Sequence, residues 1–317
     1  MSEQIFQPLV SIIIPVYNGS NYVKEAIDSA LAQTYQNVEI LVVNDGSNDG
    51  GKTEEIALSY GDKIRYFHKE NGGVSSALNL GIREMQGEYF SWLSHDDKYL
   101  PDKIKNQVET LALCENKKTL VLCENLQMDK NGELLSKTAN EYFPKERTFT
   151  DKEALYHLFK LGTFCGCSLL IPKTALKEAG GFDESLRYNQ DGFMWAKIFL
   201  NGYALVYKQN VDCVMRIHAG QLTQKGIEIY HRDCEYMSEY LIPEIVKIDD
   251  KKRRFLYAYA KYNAVHNTPK VWKACLKIKG GLGCFGRLKI RWFGFYGKLR
   301  PAIRKLYYRL FKRVKTQ

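Results

Sequence analysis

Short apolar runs alternate with helical patterns along the first two-thirds of this 317-residue chain. Residues 10–14 form a nearly continuous β-branched run, which is typical of a strand buried on both faces of a parallel sheet. Apolar residues then recur at helical spacing, and strand-like runs return at residues 38–43, 64–67 and 88–93. Because parallel strands need crossover connections, this order predicts an open α/β sheet wound with helices.

The chain is long enough for one large domain, alone or with an appendage. Its 45% hydrophobic residues, including 13% aromatic residues, can form a sizeable core. No stretch approaches the roughly 20 apolar residues that span a bilayer, and the first residues lack the basic and apolar regions of a secretion signal. We therefore expect a globular protein that stays in the cytoplasm.

Charge divides the chain into two parts that face different partners. Residues 251–317 contain 20 Lys or Arg and no Asp or Glu, whereas residues 1–250 contain 26 basic and 36 acidic residues. The formal net charge of +10 therefore combines a first part at −10 with a tail at +20. Together with the pattern, which turns mostly helical beyond about residue 227, this predicts an α/β domain over residues 1–226, a helical extension over residues 227–280 and a basic tail over residues 281–317.

Residues 301–315 of this tail form a predicted amphipathic cationic helix. Its predicted apolar face is composed of Ile303, Leu306, Tyr307, Leu310, Phe311 and Val314. We favour an anionic membrane surface as the partner, because each basic residue contributes about 1 kcal/mol near such a surface. Two alternatives are nucleic acid, which the charge alone would also suit, and the acidic first domain of the same chain.

Two adjacent carboxylates, Asp96 and Asp97, follow the strand-like run at residues 88–93. They repel each other unless a cation lies between them, and hard carboxylate oxygens suit Mg²⁺ or Mn²⁺. Their position also fits a ligand site, because open α/β sheets bind ligands beyond the carboxyl ends of their strands. The alternative is a solvated turn before a helix that begins at Pro101.

Two further loops leave the first two predicted strands at the same edge of the sheet. Pro15, Tyr17 and Asn18 follow the first strand, and Asp45 follows the second. The ring of Tyr17 can stack on a nucleobase, and the carboxylate of Asp45 can accept a hydrogen bond from a base or a ribose hydroxyl. Taken singly, each loop is equally well explained as an ordinary turn.

Together, four motifs resemble those of the family 2 glycosyltransferases of GT-A fold. They are VSIIIPVYN at residues 10–18, VVNDGS at residues 42–47, NGGVSSALN at residues 71–79 and LSHDD at residues 93–97. The resemblance extends over about residues 8–221, two-thirds of the chain. It implies a Rossmann-like wound mixed sheet flanked by helices, here followed by a C-terminal helical basic extension.

The resemblance also implies an inverting, non-processive glycosyltransferase that uses a nucleoside-diphosphate sugar, with a UDP-sugar favoured. Its acceptor would be a lipid-linked saccharide in cell-surface polysaccharide synthesis, on the inner face of the plasma membrane. Processive relatives carry a Q-x-x-R-W sequence and membrane spans, and this chain has neither. The alternatives are a nucleotidyltransferase or another nucleotide-binding enzyme of similar fold, although no G-x-G-x-x-G follows the first strand, or a nucleic-acid-binding protein.

Site residues are carried over motif by motif. The resemblance assigns the donor to Pro15, Tyr17, Asn18, Asp45, Asn71 and Asp96, and Mn²⁺ or Mg²⁺ to Asp97, Asp96 and His218. Asp191 matches the catalytic base, which takes a proton from the acceptor hydroxyl as that oxygen attacks the anomeric carbon. On the residues alone, Asp191 would instead cap the following helix. Ser94 stands where the family often has Asp, so which carboxylate contacts the metal and which contacts the ribose is left open. Leu78 stands where an Arg is frequent, so one donor contact is missing, and Gln190 replaces a Glu, which removes a second carboxylate beside the base.

Overall fold

A computed structural model describes residues 6–136, 143–221, 226–248 and 253–311, without the side chains of residues 136 and 304–311. The chain divides into two compact units. The first is Met1–Leu155 with Thr163–Gly226, and the second is Tyr156–Gly162 with Ile227–Gln317. The three domains predicted from the sequence stay a prediction. Most of the predicted apolar face at residues 301–315 lies outside the described side chains.

The first unit is built on one mixed sheet. Its strands in the described residues are β1 (Val10–Val16), β2 (Val38–Asn44), β3 (Arg65–His68), β4 (Tyr89–Trp92), β5 (Lys98–Tyr99), β6 (Thr119–Met128), β7 (Leu134–Ser136), β8 (Arg147–Phe149), β9 (Leu169–Pro172) and β10 (Ala204–Arg216). Their order is β3-β2-β1-β4-β9-β6-β10-β5, with β7 paired to β6 and β8 paired to β10. Strands β1 to β4 run parallel, and β9 is antiparallel to β4 and β6. The predicted wound mixed sheet is confirmed.

Helices cover this sheet and form the second unit. They are α1 (Val23–Leu31), α2 (Lys52–Leu58), α3 (Val74–Glu84), α4 (Lys103–Ala112), α5 (Asp151–Leu161), α6 (Lys173–Glu178), α7 (Gln190–Leu200), α8 (Ile227–Lys247), α9 (Arg254–Val265), α10 (Pro269–Lys277) and α11 (Cys284–Phe311). The predicted helix start at Pro101 is wrong by two residues, because the short strand β5 pairs with β10 and a turn follows it. Among the described helices, none combines the length and apolarity needed to span a bilayer.

Strand β1 anchors the edge of the sheet at which the site forms. All of its residues are buried, since β2 and β4 flank it and α3 packs against it. Gly81 allows this packing, because a Cβ at that position would lie 2.5 Å from Cγ2 of Ile13. Each buried β-branched side chain contributes about 1.5–3 kcal/mol. The loop that carries Tyr17 therefore starts from a firmly held strand.

A buried lysine supports β4, which leads to the acidic pair. Nζ of Lys103 on α4 donates to Oγ of Ser91 (2.8 Å) and to Oε1 of Gln107 (2.9 Å). It also lies 4.2 Å from the centre of the Tyr99 ring. Burial lowers the pKa of Lys103, because the ammonium is removed from water. This network holds the end of β4 against α4 and β5.

Candidate functional site

Hydrogen bonds join the loop after β1 to the loop after β2. The N–H of Asn18 donates to Oγ of Ser47 (2.9 Å), and Nδ2 of Asn18 donates to Oδ1 of Asn48 (2.7 Å). The N–H of Asn48 donates back to Oδ1 of Asn18 (2.8 Å). Asn18 has a φ of 49°, a left-handed conformation that Asn adopts more readily than most residues. This turn leaves Tyr17 43% exposed at the carboxyl edge of the sheet.

Asp45 ties the loop after β2 to the loop after β3. Its Oδ1 accepts Nζ of Lys69 (2.7 Å) and the N–H of Gly72 (2.9 Å), and its Oδ2 accepts the N–H of Gly73 (2.7 Å). Nδ2 of Asn71 donates to its backbone oxygen (2.8 Å). A carboxylate offers about four lone-pair positions. Lys69, Gly72 and Gly73 occupy three of them, so about one remains for a ligand. Asp45 thus shapes the loop that contains Asn71.

Gly73 closes this arrangement and begins α3. Its φ is 88°, and a Cβ there would lie 2.0 Å from Nη1 of Arg187. The same Nη1 donates to the carbonyl of Gly72 (2.8 Å). A side chain at position 73 would therefore strain the backbone and displace Arg187. Glycine suits this position chiefly because of its left-handed backbone conformation.

Asp97 faces the interior of the protein. Its Oδ1 accepts the N–H of Arg216 (2.9 Å), and its Oδ2 accepts the thiol of Cys167 (3.2 Å). Burial raises the pKa of Asp97 well above its ordinary value, and the neighbouring charge of Asp96 acts in the same direction. Both oxygens of Asp97 therefore already have protein partners.

Asp96 is partly buried and lies beside His218. Its Oδ2 lies 3.0 Å from Nε2 of His218 and accepts Nε2 of Gln221 (3.3 Å). A carboxylate oxygen and an imidazole nitrogen are both ligands for first-row divalent ions. No group of three or more His, Cys, Asp and Glu side chains with metal-binding geometry is found in the described part of the chain. Asp96 and His218 together offer two ligands. Two protein ligands fit an ion that takes its remaining ligands from water and substrate phosphates, as Mg²⁺ often does.

Arg216 is a buried framework residue beside this pair. Its Nε donates to the backbone oxygen of Asp96 (3.0 Å), and its Nη2 donates to Oε2 of Glu25 (3.0 Å). The guanidinium lies 4.3 Å from the centre of the Tyr22 ring. Arg216 therefore fixes the loop of the acidic pair against α1 and the end of β10.

Asp191 is half-buried in the first turn of α7, which Asn189 caps. Its Oδ1 accepts the N–H of Gly192 (2.6 Å), and the hydroxyl of Thr163 also hydrogen-bonds to its carboxylate. Burial raises the pKa of Asp191 to about 6. A carboxylate with this pKa is ionised at neutral pH and is a stronger base than an ordinary aspartate.

The segment from Thr163 to Cys167 connects Asp191 with the acidic pair. Thr163 hydrogen-bonds Asp191, and Cys167 hydrogen-bonds Asp97. Gly166 between them packs under Trp92, since a Cβ there would lie 2.4 Å from the indole ring. One short segment therefore contacts both Asp191 and Asp97.

Sequence reasoning missed, among others, the contacts made by Lys69, Cys167 and Glu25. Lys69 follows β3 at the same sheet edge, so the rule that located Asp45 would have found it. Cys167 and Glu25 had no local signal. Their partners Asp97 and Arg216 lie 70 and 191 residues away in the sequence.

Known proteins resemble this chain in sequence and in fold. A family model described as Glycosyl transferase family 2 matches residues 11–180. An uncharacterized glycosyltransferase of Rickettsia typhi is 51% identical over 297 residues, covering 90% of this chain and 91% of that protein. Another, from Rickettsia felis, is 46% identical over 278 residues, which is 86% of this chain. The match spans only 45% of the length of that protein.

Two solved structures share the architecture. S. aureus TarS 1-349 in complex with UDP-GlcNAc has a TM-score of 0.66 at 18% identity, with 86% of this chain and 76% of that chain covered. The mannosyltransferase PcManGT from Pyrobaculum calidifontis, in complex with GDP-Man and Mn²⁺, has a TM-score of 0.53 at 20% identity, with 86% and 74% covered. These likenesses confirm the predicted GT-A fold.

Proposed function

Because this chain belongs to glycosyl transferase family 2, we propose that it transfers single sugars from a nucleoside-diphosphate sugar to a lipid-linked saccharide, with inversion at the anomeric carbon. The product would enter a cell-surface polysaccharide. One observation carries the proposal: the loops after β1, β2 and β3 meet at one sheet edge and are joined through Asn18 and Asp45. Open α/β sheets bind nucleotides at such an edge.

The donor site is assigned to the residues predicted from the motifs. The exposed ring of Tyr17 stacks on the base, Asn18 and Asn71 are assigned to the loops around it, and the buried Pro15 supports the loop that carries Tyr17. Asp45 uses its remaining acceptor position on the base or ribose. A UDP-sugar is favoured because TarS was solved with UDP-GlcNAc, and the GDP-Man complex of PcManGT makes GDP-sugars the second class to test.

Asp96 and His218 are proposed to hold Mn²⁺ or Mg²⁺. Asp97, the other predicted ligand, supports them from the interior, because its two oxygens accept Arg216 and Cys167. A bound divalent ion would supply charge neutralisation for the departing diphosphate. The fold likeness to PcManGT, which was solved with Mn²⁺, supports metal use.

Asp191 is proposed as the catalytic base. Its half-buried carboxylate, with a pKa of about 6, is ionised at neutral pH and can accept the proton of an acceptor hydroxyl. The first turn of α7 and Thr163 fix its orientation. The acceptor hydroxyl would then attack the anomeric carbon from the face opposite the diphosphate, which inverts its configuration.

A peripheral position on the cytoplasmic face of the membrane completes the proposal. A lipid-linked acceptor is confined to the bilayer, and the tail from residue 251 onward contains 20 basic and no acidic residues. Attraction of this charge to anionic lipids would concentrate the enzyme where its acceptor lies.

The test is release of nucleoside diphosphate by the purified full chain. UDP-, GDP- and dTDP-sugars are offered singly with a lipid extract as acceptor, with Mn²⁺, with Mg²⁺ or with EDTA. We expect turnover of one donor class, strongest with a divalent ion. Proton NMR of the product should show inverted anomeric configuration. Folded protein that turns over no donor would refute the transfer reaction, and retained configuration would refute the single-displacement mechanism.

Asp191→Asn tests the base. We expect the variant to keep nucleotide affinity and to lose at least about 10²-fold in transfer rate, the usual contribution of a general base. Asp62→Asn, on an exposed turn between α2 and β3, is the matched control and should transfer normally. Undiminished transfer by Asp191→Asn removes Asp191 from this role.

A further inference from the structure

Helix α11 packs into the second unit through a narrow face. Ile290 is buried there, and two glycines allow close approach to α10 and α9. A Cβ on Gly294 would lie 2.7 Å from the indole of Trp272, and one on Gly297 would lie 2.2 Å from the carbonyl oxygen of Ala264. This side of α11 is fully occupied by its own unit.

The opposite side of α11 carries large apolar residues that are exposed. We call this the outer face; it consists of Phe285, Leu288, Trp292, Phe295, Tyr296, Leu299 and Ile303. Phe285 is 82% exposed and Trp292 is 61% exposed. At about 100° per residue, these seven side chains occupy an arc of about 100°, centred nearly opposite Ile290. A contiguous exposed apolar stripe of this kind marks an interaction surface.

Cations border the outer face on both sides. Arg287, Arg291 and Lys298 lie along one border, and Lys289 and Arg300 lie along the other; all five are exposed. No acidic residue occurs between residues 251 and 317 to neutralise them. A helix of this kind lies flat on a bilayer surface. Its apolar arc is buried at the level of the acyl chains, and its cationic borders contact the anionic headgroups.

We propose that the outer face of α11 docks this protein on an anionic membrane surface. A second copy of the chain fits less well, because pairing two outer faces would bring cationic borders together without acidic partners. The side chains beyond residue 303, where the sequence predicted the docking face, are not needed for this assignment. The docking surface is argued from α11 alone. Its biological role rests on the proposed function, because docking would bring the enzyme to its lipid-linked acceptor.

Trp292 provides a direct reporter. The other three of the four tryptophans, Trp92, Trp195 and Trp272, are buried. We expect vesicles of about 30% phosphatidylglycerol in phosphatidylcholine to shift the emission of the full chain to shorter wavelength, and brominated acyl chains to quench it. Pure phosphatidylcholine should give a much weaker change. An unchanged spectrum with anionic vesicles, in low salt, overturns the proposal.

Substitutions locate the contact. Phe285→Glu with Phe295→Glu keeps the reporter and should weaken vesicle binding at least about tenfold, because it places two charges within the apolar arc. Leu113→Glu, at an exposed leucine of the first unit, is the matched control and should bind normally. Circular dichroism confirms that both variants are folded. Equal binding by the double variant and the wild type refutes the outer face as the docking surface.

Sedimentation velocity tests the competing occupant. A wild-type dimer that becomes monomeric in the double variant, without a change in vesicle binding, would assign the outer face to a second copy and overturn the proposal. Vesicle binding is measured without donor or acceptor, and transfer is measured with a detergent-dispersed acceptor. Failure of docking and failure of the transfer reaction are therefore distinguishable.

Discussion

Four aspartates at the site differ in chemistry because their surroundings differ. Asp45 is paired with Lys69 and two backbone N–H groups, whereas Asp97 is buried with a thiol and one N–H. Burial raises the pKa of Asp191 to about 6, and the partly buried Asp96 lies beside His218. The same side chain can therefore organise a loop, support a neighbour, accept a proton or bind an ion.

The pH dependence of transfer follows from the pKa of Asp191. A base works only when it is deprotonated, and burial raises this pKa to about 6. We expect kcat/KM to be level above about pH 7, to reach half its maximum near pH 6 and to fall tenfold per unit below that. Initial rates in buffers of constant ionic strength measure the profile. A level profile down to about pH 5, with the protein still folded, would contradict the assignment.

At the scale of elements, the loop between β3 and α3 depends on the Asp45 carboxylate. We expect Asp45→Asn to lower the free energy of unfolding by about 3 kcal/mol, because it breaks a largely buried ion pair and leaves a backbone N–H facing an amide. Lys69→Met should cost about 1 kcal/mol, since Asp45 keeps two N–H donors at the start of α3. Urea unfolding measures both variants. A larger loss for Lys69→Met would show that the lysine, not the carboxylate, organises the loop.

The packing of α11 gives a second element-scale prediction. A Cβ on Gly297 would lie 2.2 Å from one carbonyl oxygen and 3.0 Å from another, and backbone atoms move only at a cost. We expect Gly297→Ala to destabilise the protein by about 2 kcal/mol or more. At Gly286 the nearest atom is 3.6 Å away, so Gly286→Ala should stabilise α11 by up to about 1 kcal/mol. Thermal unfolding compares the two, and equal effects would contradict this packing.

At the scale of the whole molecule, charge is segregated along the sequence. Residues 251–317 carry +20 and residues 1–250 carry −10. Charge alone would attract any polyanion, so the exposed apolar residues of α11 are what distinguish a bilayer from nucleic acid. The distinction is physical, because apolar burial is little affected by added salt whereas phosphate contacts are strongly screened.

Salt titration tests this distinction. Raising salt from about 0.05 M to 0.2 M should weaken duplex DNA binding by about 10³-fold or more, as several phosphate contacts are lost. Binding to anionic vesicles should fall less than this, because salt screens the headgroup contacts but leaves the apolar burial of the outer face largely unchanged. Both affinities are measured by fluorescence with the same protein sample. Tight DNA binding that survives 0.2 M salt would instead favour a nucleic-acid partner.

The sequence predicted the fold through local patterns. The β-branched run at residues 10–14 required a buried strand, and its alternation with helical segments required a wound sheet. The strand-end rule placed Tyr17, Asp45 and Asp96 at one edge, where the structure also has them. The start of α4 was misplaced because β5 is only two residues long and depends on pairing with β10.

The order of elements, the edge that carries the site and the charge of the tail were determined by the sequence itself, because they depend on residues close together in the chain. Tertiary structure alone decided which carboxylate pairs with a lysine, which accepts a thiol in the interior and which lies beside a histidine. Asp45 meets Lys69 across 24 residues, and Asp97 meets Arg216 across 119. It also decided which side of α11 is exposed, because Gly294 and Gly297 fix the opposite side against α10 and α9. Burial and hydrogen bonding are properties of neighbours in space, and local sequence patterns do not specify those neighbours.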